Sequence, residues 1–398
     1  MGLILLRYGE IALKGQNRTY FFRKLRRNVR QCLKANGVAG DVWQEGQRIY
    51  LATDQVEAAV EAVQRVFGIV SLSPVQAVPV ERSAEGSCRS LEAIAQEAVR
   101  VARRAGLNPA QSFRVNARRA DKSFPHISPE IERQVGAAIA SATGARVNLS
   151  AAADVEIGVE VQSGRALVFG EIVTGPGGLP LGSQGQVVAL LSSGIDSPVA
   201  AWLMMKRGCG VIPLHFSVSQ AQADQVEAIV ETLKRYAYGW HLKPIILSHS
   251  EILGPTLARL RAIRKERWTC LFCKRILLAK AAKIAEEMEA SALVTGDSLG
   301  QVASQTLSNL EVISYGLRKP ILRPLIGLDK TEIIALARRI GTYEASIKAA
   351  HTCPFLPDRP LTQSSVAKLR ALMKQMTELE EPHPAPEDAK GKRGASNV

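Results

Sequence analysis

Val187-Val188-Ala189-Leu190-Leu191-Ser192-Ser193-Gly194-Ile195-Asp196-Ser197-Pro198-Val199-Ala200 reads as a buried strand, a tight polar turn and the start of a helix. Five consecutive apolar residues, bounded by Gly185 and Ser192, suit a central parallel strand covered on both faces. The turn is short and rich in hydroxyls. Ser197 is placed to cap the helix, and Pro198 falls where the first helical turn tolerates proline. The helix predicted from it covers 197–207 and stops at Gly208. Backbone N–H groups at such a helix start, aided by the helix dipole, form an anion site.

The turn lacks the G-x-x-x-x-G-K-[ST] spacing of a Walker loop. It resembles the S-G-G-x-D-S pyrophosphate loop of ATP pyrophosphatases, which cleave ATP to AMP and pyrophosphate. One residue departs from that pattern: Ser193 stands at its first glycine. Serine is strained there if the position needs a positive φ. On its own the hexapeptide is also compatible with an ordinary strand-to-helix turn.

Outward from the turn, strand and helix alternate: strand 187–191, helix 197–207, strand 211–217, helix 220–237, strand 242–247, helices 250–265 and 274–289, strand 291–295 and helix 329–340. That rhythm predicts a doubly wound parallel sheet, with ligands at the carboxyl ends of its strands. Two α+β units precede it. The first has strands near 3–8, 47–52 and 69–75, with helices over 19–34 and 56–66. The second runs from 77 to 168. It has helices over 90–105 and 129–143, a strand over 113–119 and paired strands 154–161 and 165–170. Residues 169–183, with Gly175-Pro176-Gly177-Gly178, read as a flexible linker. The expected domains are therefore 1–76, 77–168 and 184–379, followed by a disordered tail at 380–398 that is poor in large apolar residues.

Charge points to a polyanionic partner. Lys and Arg number 51 against 37 Asp and Glu, a formal charge of +14. Residues 1–36 hold nine Lys/Arg and one acid, and the first helix carries Lys24, Arg26 and Arg27 opposite the apolar row Phe22, Leu25, Val29, Leu33. Arg114, Arg118, Arg119, Lys122 and Arg146 form a second basic set, which also fits a solvated strand edge. No apolar run is long enough to span a membrane, and the opening residues do not make a signal peptide, so the expected location is cytoplasmic.

Four stretches carry a family resemblance: RYGEIALKGQNR, FRVNARRADKSFP, LLSSGIDSPVA and ALVTGDSLGQVASQTLSNL. In this order they resemble the tRNA 4-thiouridine synthetases, or tRNA sulfurtransferases, up to about residue 375. The resemblance implies a ferredoxin-like domain, a THUMP RNA-binding domain and an adenine nucleotide α-hydrolase-like domain. Some members add a rhodanese domain, for which this chain is expected to be too short. At matching positions Leu190 and Leu191 would flank the adenine and His215 and Phe216 would close its pocket. Lys274, Gly296 and Gln305 would complete the nucleotide site, with Ser192, Ser193, Gly194 and Ser197 in the loop. Asp196 would be the essential loop carboxylate, able to hold Mg2+. Lys24, Arg26, Arg27, Arg114, Arg118, Arg119 and Lys122 would face tRNA.

Six cysteines in a large chain of this kind suggest metal or catalysis rather than a disulfide framework. Cys270-Leu271-Phe272-Cys273 reads as lying between two helices, with Cys353 far downstream. C-x-x-C alone leaves zinc, redox and iron–sulfur use open. Three thiolates fit a [4Fe-4S] cluster with one iron open, as in cluster-dependent tRNA thiolases, which rhodanese-free relatives resemble. The competing reading makes Cys353 a persulfide carrier paired with the C-x-x-C. Cys32, Cys88 and Cys209 are expected to be packing residues.

The expected activity is ATP-dependent adenylation of a tRNA uridine near position 8 and replacement of its O4 by sulfur. Its partners would be tRNA, a sulfur donor such as a cysteine desulfurase or inorganic sulfide, and, if it dimerises, a second copy of itself. The rivals are a catalytically silent RNA-binding protein and a sulfur-transfer step in thiamine thiazole synthesis.

Overall fold

Leu3-Ile4-Leu5-Leu6 is apolar on both faces, and β1 (Gly2–Tyr8) accordingly lies inside a sheet with Ile4, Leu5 and Leu6 buried. The computed structural model describes residues 1–81, 83–348 and 353–378; the tail expected to be disordered, 380–398, lies outside them. Two compact units form. One comprises residues 1–187, 200–213 and 228–244; the other comprises 188–199, 214–227 and the chain from 245 on.

In the first unit, α1 (Arg18–Ala35) lays Phe22, Leu25, Val29 and Leu33 on the sheet as their spacing predicts. The hairpin β2 (Asp41–Glu45) and β3 (Arg48–Thr53), then α2 (Val56–Val63) and β4 (Ile69–Pro79), complete the first half. The sequence pattern does not reveal β2, an edge strand with Val42 as its one fully covered residue. α3 (Ala84–Arg104) starts six residues before the expected Ser90 because Ser83 caps it, accepting from Gly86 N at 3.1 Å. β5 (Ser112–Arg119), α4 (Ser128–Thr143), β6 (Arg146–Val147), β7 (Val155–Gln162), β8 (Arg165–Phe169) and β9 (Val173–Thr174) follow.

The strands make one sheet in the order β2-β3-β1-β4-β8-β7-β5-β6, with β9 beside β4. β4 belongs to both halves: its first residues pair with β1 and β9, its last with β8. Arg48 on β3 and the buried Glu160 on β7 join the halves through a bidentate pair at 2.9 and 3.1 Å. The stretch 174–180 is not the flexible spacer its glycines suggest. Gly175 N and Gly177 N donate to Val70 O and Ile69 O at 2.8 Å, and Leu179 N donates to Lys206 O at 2.9 Å. A Cβ on Gly175 would stand 2.3 Å from Ile69 O, so this glycine serves close approach rather than freedom.

The second sheet is built from β10 (Gln186–Leu191), β11 (Gly210–Ser217), β12 (Ile245–Ser248), β13 (Ala292–Val294) and β14 (Ile321–Leu322), in the order β12-β11-β10-β13-β14. The pairs β11–β12 and β13–β14 are parallel. Around it run α5 (Asp196–Lys206), α6 (Gln220–Lys234), α7 (His249–Ala262), α8 (Thr269–Glu287), α9 (Leu307–Ser314), α10 (Lys330–Ile340), α11 (Tyr343–Ile347) and α12 (Val366–Glu378). The chain winds outward one way from β10 and then the other way from β13. The carboxyl end of β10 is therefore the switch point where doubly wound sheets bind ligands. The fold is α/β, as expected. α9 and β14 were too short to read, and α8 begins five residues earlier than the expected 274.

Candidate nucleotide and sulfur site

The loop after β10 is closed by its own hydroxyls. Ser192 N donates to Ser197 Oγ at 2.8 Å, the two serine hydroxyls meet at 3.0 Å, and Gly194 N donates to Ser192 Oγ at 3.3 Å. Ser197 thus ties the loop shut instead of capping α5, which begins at Asp196. Pro198 still falls in the first turn, where N–H groups have no helical partner. Ser193 is not at positive φ; among the described non-glycine residues only Arg264 and Glu289 are. The departure from the glycine pattern therefore carries no backbone strain here. Gly296 explains itself by contact: a Cβ there would stand 2.7 Å from Ser197 N and 2.8 Å from Ser197 Cα.

A cavity of about 380 Å³ opens at this end of the sheet, within the usual range for a small-molecule site. Leu190, Leu191, Ser192, Gly194, Asp196 and Ser197 line one side, and His215, Phe216, Lys274, Gly296, Gln305 and Cys353 line the rest. Of the residues singled out from sequence, Ser193, Cys270 and Cys273 do not line it. Asp196 Oδ1 accepts from Lys330 Nζ at 2.5 Å and Oδ2 from Gln301 Nε2 at 2.9 Å. His215 donates from Nδ1 to Leu191 O at 2.9 Å, since a carbonyl can only accept. Burial lowers its pKa, so the ring is neutral and Nε2 is an acceptor, buried and without a partner among the described residues.

Asp297 is the hub of the far wall. It is 6% exposed and accepts from Lys274 Nζ at 2.8 Å, Thr295 Oγ1 at 2.8 Å, Gln305 Nε2 at 3.2 Å and Arg323 Nε at 3.4 Å. Burial works to raise its pKa, but Lys274 above all, with Thr295 and Gln305, holds it below the ordinary carboxylate value. The bond to Asp297 also orients the Gln305 amide, leaving Oε1 as a second buried acceptor without a partner among the described residues. Sequence reasoning missed Asp297, Gln301, Arg323 and Lys330. Asp297 and Gln301 both sit in the quoted block, as Thr295-Gly296-Asp297-Ser298-Leu299-Gly300-Gln301; Arg323 and Lys330 carry no local signal.

Of the three singled-out cysteines only Cys353 lines the cavity; Cys270 and Cys273 lie on the helix that also carries Lys274 into it. The C-x-x-C lies on the first turn of α8, not between helices, because Leu271 and Phe272 are buried there, at 1% and 6% exposure. Burial, reinforced by Cys353 and Cys270, pushes the Cys273 thiol up to about 12; burial and Cys353 also raise Cys270. The three sulfurs are thus within electrostatic reach of one another. Among the described residues no three His, Cys, Asp or Glu side chains are gathered as a metal-holding group. His249 Nε2 lies 3.2 Å from Cys273 Sγ. Cys32 and Cys209 are buried as expected, but Cys88 is exposed on α3 rather than packed.

The basic residues are dispersed. Arg27, Arg118 and Lys122 are exposed, whereas Lys24 and Arg26 are half-buried and burial lowers the Lys24 pKa. Arg114 is paired with Glu156, and Arg119 donates to Phe124 O at 2.9 Å.

A pyrophosphate-loop α/β fold that follows a shared ferredoxin-like and THUMP sheet is the class these features define. Three family models match in that order: the ThiI ferredoxin-like domain at 3–73, the THUMP domain at 88–170 and Thiamine biosynthesis protein (ThiI) at 182–379. The chain is 41% identical over 375 residues to the "Probable tRNA sulfurtransferase" of Thermococcus kodakarensis, covering 93% of this chain and 96% of that one. It is 38% identical over 380 residues to that of Methanocaldococcus jannaschii, covering 94% and 97%. A crystal structure of a 4-thiouridine synthetase–RNA complex with bound ATP superposes at a TM-score of 0.79 with 32% identity, covering 96% of both chains. The chain belongs to the tRNA sulfurtransferase (ThiI) family.

Proposed function

We propose that this protein is an ATP-dependent tRNA uridine 4-sulfurtransferase. The observation that carries the reading is the intact Asp196 loop, unstrained at Ser193, in a member of the family. It weighs against a silent RNA-binding protein. The uridine O4 attacks the α-phosphorus and pyrophosphate leaves; a sulfur nucleophile then adds at C4 and AMP leaves. The N–H groups at the start of α5 and the Lys274 ammonium group, which lines the cavity, would meet the charge that develops on the phosphates, with Lys330 behind Asp196. His215 Nε2 and Gln305 Oε1 are acceptors that the amine and hydroxyls of adenosine can satisfy.

Asp196 would be the carboxylate for Mg2+, which characteristically takes one or two carboxylates together with substrate phosphates. Both its oxygens already accept from Lys330 and Gln301, and an ion held there would share or replace those contacts. Bound magnesium would neutralise the leaving pyrophosphate. The sulfur side has two candidate chemistries, a cluster on Cys270, Cys273 and Cys353 or a persulfide on Cys353. The soft donor set suits the cluster, and metal would displace the proton that burial holds on Cys273. Against it, the described residues do not gather the three cysteines as a ligand set. For a persulfide on Cys353 the donor is a cysteine desulfurase, which delivers sulfur already at the sulfane level; inorganic sulfide would serve only the cluster chemistry, where no oxidant is needed.

The test is tRNA-dependent pyrophosphate release together with 4-thiouridine in the product; release without thiolation, both with sulfide and reductant and with a cysteine desulfurase and cysteine, would overturn the transferase reading. Iron and thiolation measured on Cys270→Ser, Cys273→Ser and Cys353→Ser separate the two sulfur chemistries. A cluster loses iron in all three, whereas a persulfide carrier loses only thiolation. For the tRNA partner, Arg27, Arg118 and Lys122 changed together to Ala should flatten the salt dependence of binding, by up to roughly 0.9 log–log units for each phosphate no longer neutralised.

A further inference from the structure

One imidazole touches both sulfur-bearing segments. His249 is the first residue of α7, directly after Ser248, which ends β12 and caps that helix by accepting from Glu251 N at 3.4 Å. Strand end and cap together project the His249 ring from the carboxyl edge of the sheet into the cavity wall, where it is 6% exposed. Its Nε2 lies 3.2 Å from Cys273 Sγ. Its face stacks on Phe355, with ring centroids 5.0 Å apart and planes 27° from parallel. Phe355 lies two residues after Cys353, which is exposed and lines the same cavity.

From this we infer that His249 is a positioning residue for sulfur delivery. Its edge orients Cys273 and its face seats the Cys353 segment, so that one ring sets the register between the two. The two cysteines come from distant parts of the chain, and nothing local fixes their spacing. Cys273 is carried on a buried helical turn and has no freedom to search for a partner. Cys353 is exposed on a segment whose neighbouring ring, Phe355, rests on His249. A ring that both hydrogen-bonds and stacks constrains translation and tilt together, which neither contact does alone. The arrangement serves a cluster and a persulfide exchange equally, because both need Cys353 brought to the C-x-x-C. The inference rests on the sulfurtransferase reading for its purpose, but its geometry can be tested without tRNA or ATP.

The experiment is oxidative trapping in the full chain, purified metal-free. Diamide takes two electrons and two protons as two thiols become one disulfide. The peptide containing Cys353 joined to the peptide containing Cys270 and Cys273 is counted by mass spectrometry over time. Phe355→Leu, which removes the stack, and His249→Gln, which keeps a hydrogen-bonding group but removes the ring, should slow trapping at least tenfold. His249→Phe keeps the stack and loses the nitrogen. It should trap more slowly than wild type and lower the kcat of thiolation more than it raises KM for tRNA. Thermal melting and circular dichroism confirm that each variant is folded; a misfolded variant is replaced by His249→Asn or Phe355→Met, with the same expectation. The inference is overturned if wild type forms no such disulfide, if Phe355→Leu and His249→Gln trap within twofold of wild type, or if His249→Phe matches wild type in both rate and kcat. Wild-type protein that traps as expected yet shows no ATP-dependent thiolation would leave the clasp standing and sink the functional reading instead.

Discussion

The two ends of the cavity that the proposed function assigns to phosphate and to sulfur are built by opposite means. At the phosphate end the polar side chains are held several times over. Asp297 takes four donors, Asp196 takes two, and Ser192 and Ser197 close the loop with three contacts of their own. At the sulfur end Cys353 is exposed; its carbonyl accepts from Leu356 N at 3.2 Å, and two residues on Phe355 stacks on His249. The difference fits the chemistry. Developing phosphate charge is best met by dipoles and cations already in place, which cost no reorganisation when the reaction occurs. On the proposed reading a sulfur is reloaded after each turnover, so a carrier at Cys353 has to stay accessible to a donor.

The largest effect is expected at Asp196. Asp196→Ala should lower tRNA-dependent pyrophosphate release by roughly a thousandfold, in line with losing a preorganised transition-state contact. Direct tRNA binding, measured by filter retention, should change by less than about twofold. Release at the wild-type rate would remove Asp196 from the chemistry. Next is Gly296→Ala, whose methyl meets the backbone of Ser197 at 2.7 and 2.8 Å. Backbone cannot rotate away as a side chain can, so the loop must shift. Calorimetry should show nucleotide affinity falling about tenfold or more, and unchanged affinity would mean the loop is looser than its hydrogen bonds imply.

Asp297→Asn should cost about 1–3 kcal/mol of stability near pH 7, the usual range for disrupting a buried charged hydrogen-bond network. The sign follows from its depressed pKa in the folded protein. Its stabilisation is present above the unfolded-state value, about 3.9, and lost as pH falls through the lower folded value. Denaturant melts should therefore show the wild-type advantage at neutral pH shrinking below about pH 4. A gap that persists undiminished at low pH would mean that packing, not charge, is what Asp297 contributes.

The smallest effects, on stability and on pyrophosphate release, test the loose end and the unstrained serine. Cys353→Ser should leave stability within about 0.5 kcal/mol of wild type, as for an exposed site, while abolishing thiolation. A large stability loss would mean the sulfur end is as tightly built as the phosphate end. Ser193→Gly should keep pyrophosphate release within about twofold, because the serine occupies ordinary backbone space. A marked gain would show that the loop had wanted glycine after all.

What the sequence determined by itself is what local physics encodes. The run Val187–Leu191 had to be a covered strand. The loop and Pro198 had to open a helix, and Phe22, Leu25, Val29 and Leu33 had to face a core. Four motifs in order carried the family. Other features were decided only by the tertiary structure. The glycine-rich stretch near 175 reads as flexible, yet hydrogen bonds to β4 pin it, because composition records backbone freedom and not the partners that remove it. Cys270, Phe272 and Cys273 have weak helix propensity, and burial of Leu271 and Phe272 overrode it. Lys330 reaches Asp196 across 134 positions and Gln301 across 105, while His249 meets Cys273 across 24. None of these pairs follows from strand or helix periodicity, which relates residues within one element. Only the folding of separate elements around the carboxyl edge of one sheet brings them within hydrogen-bond distance.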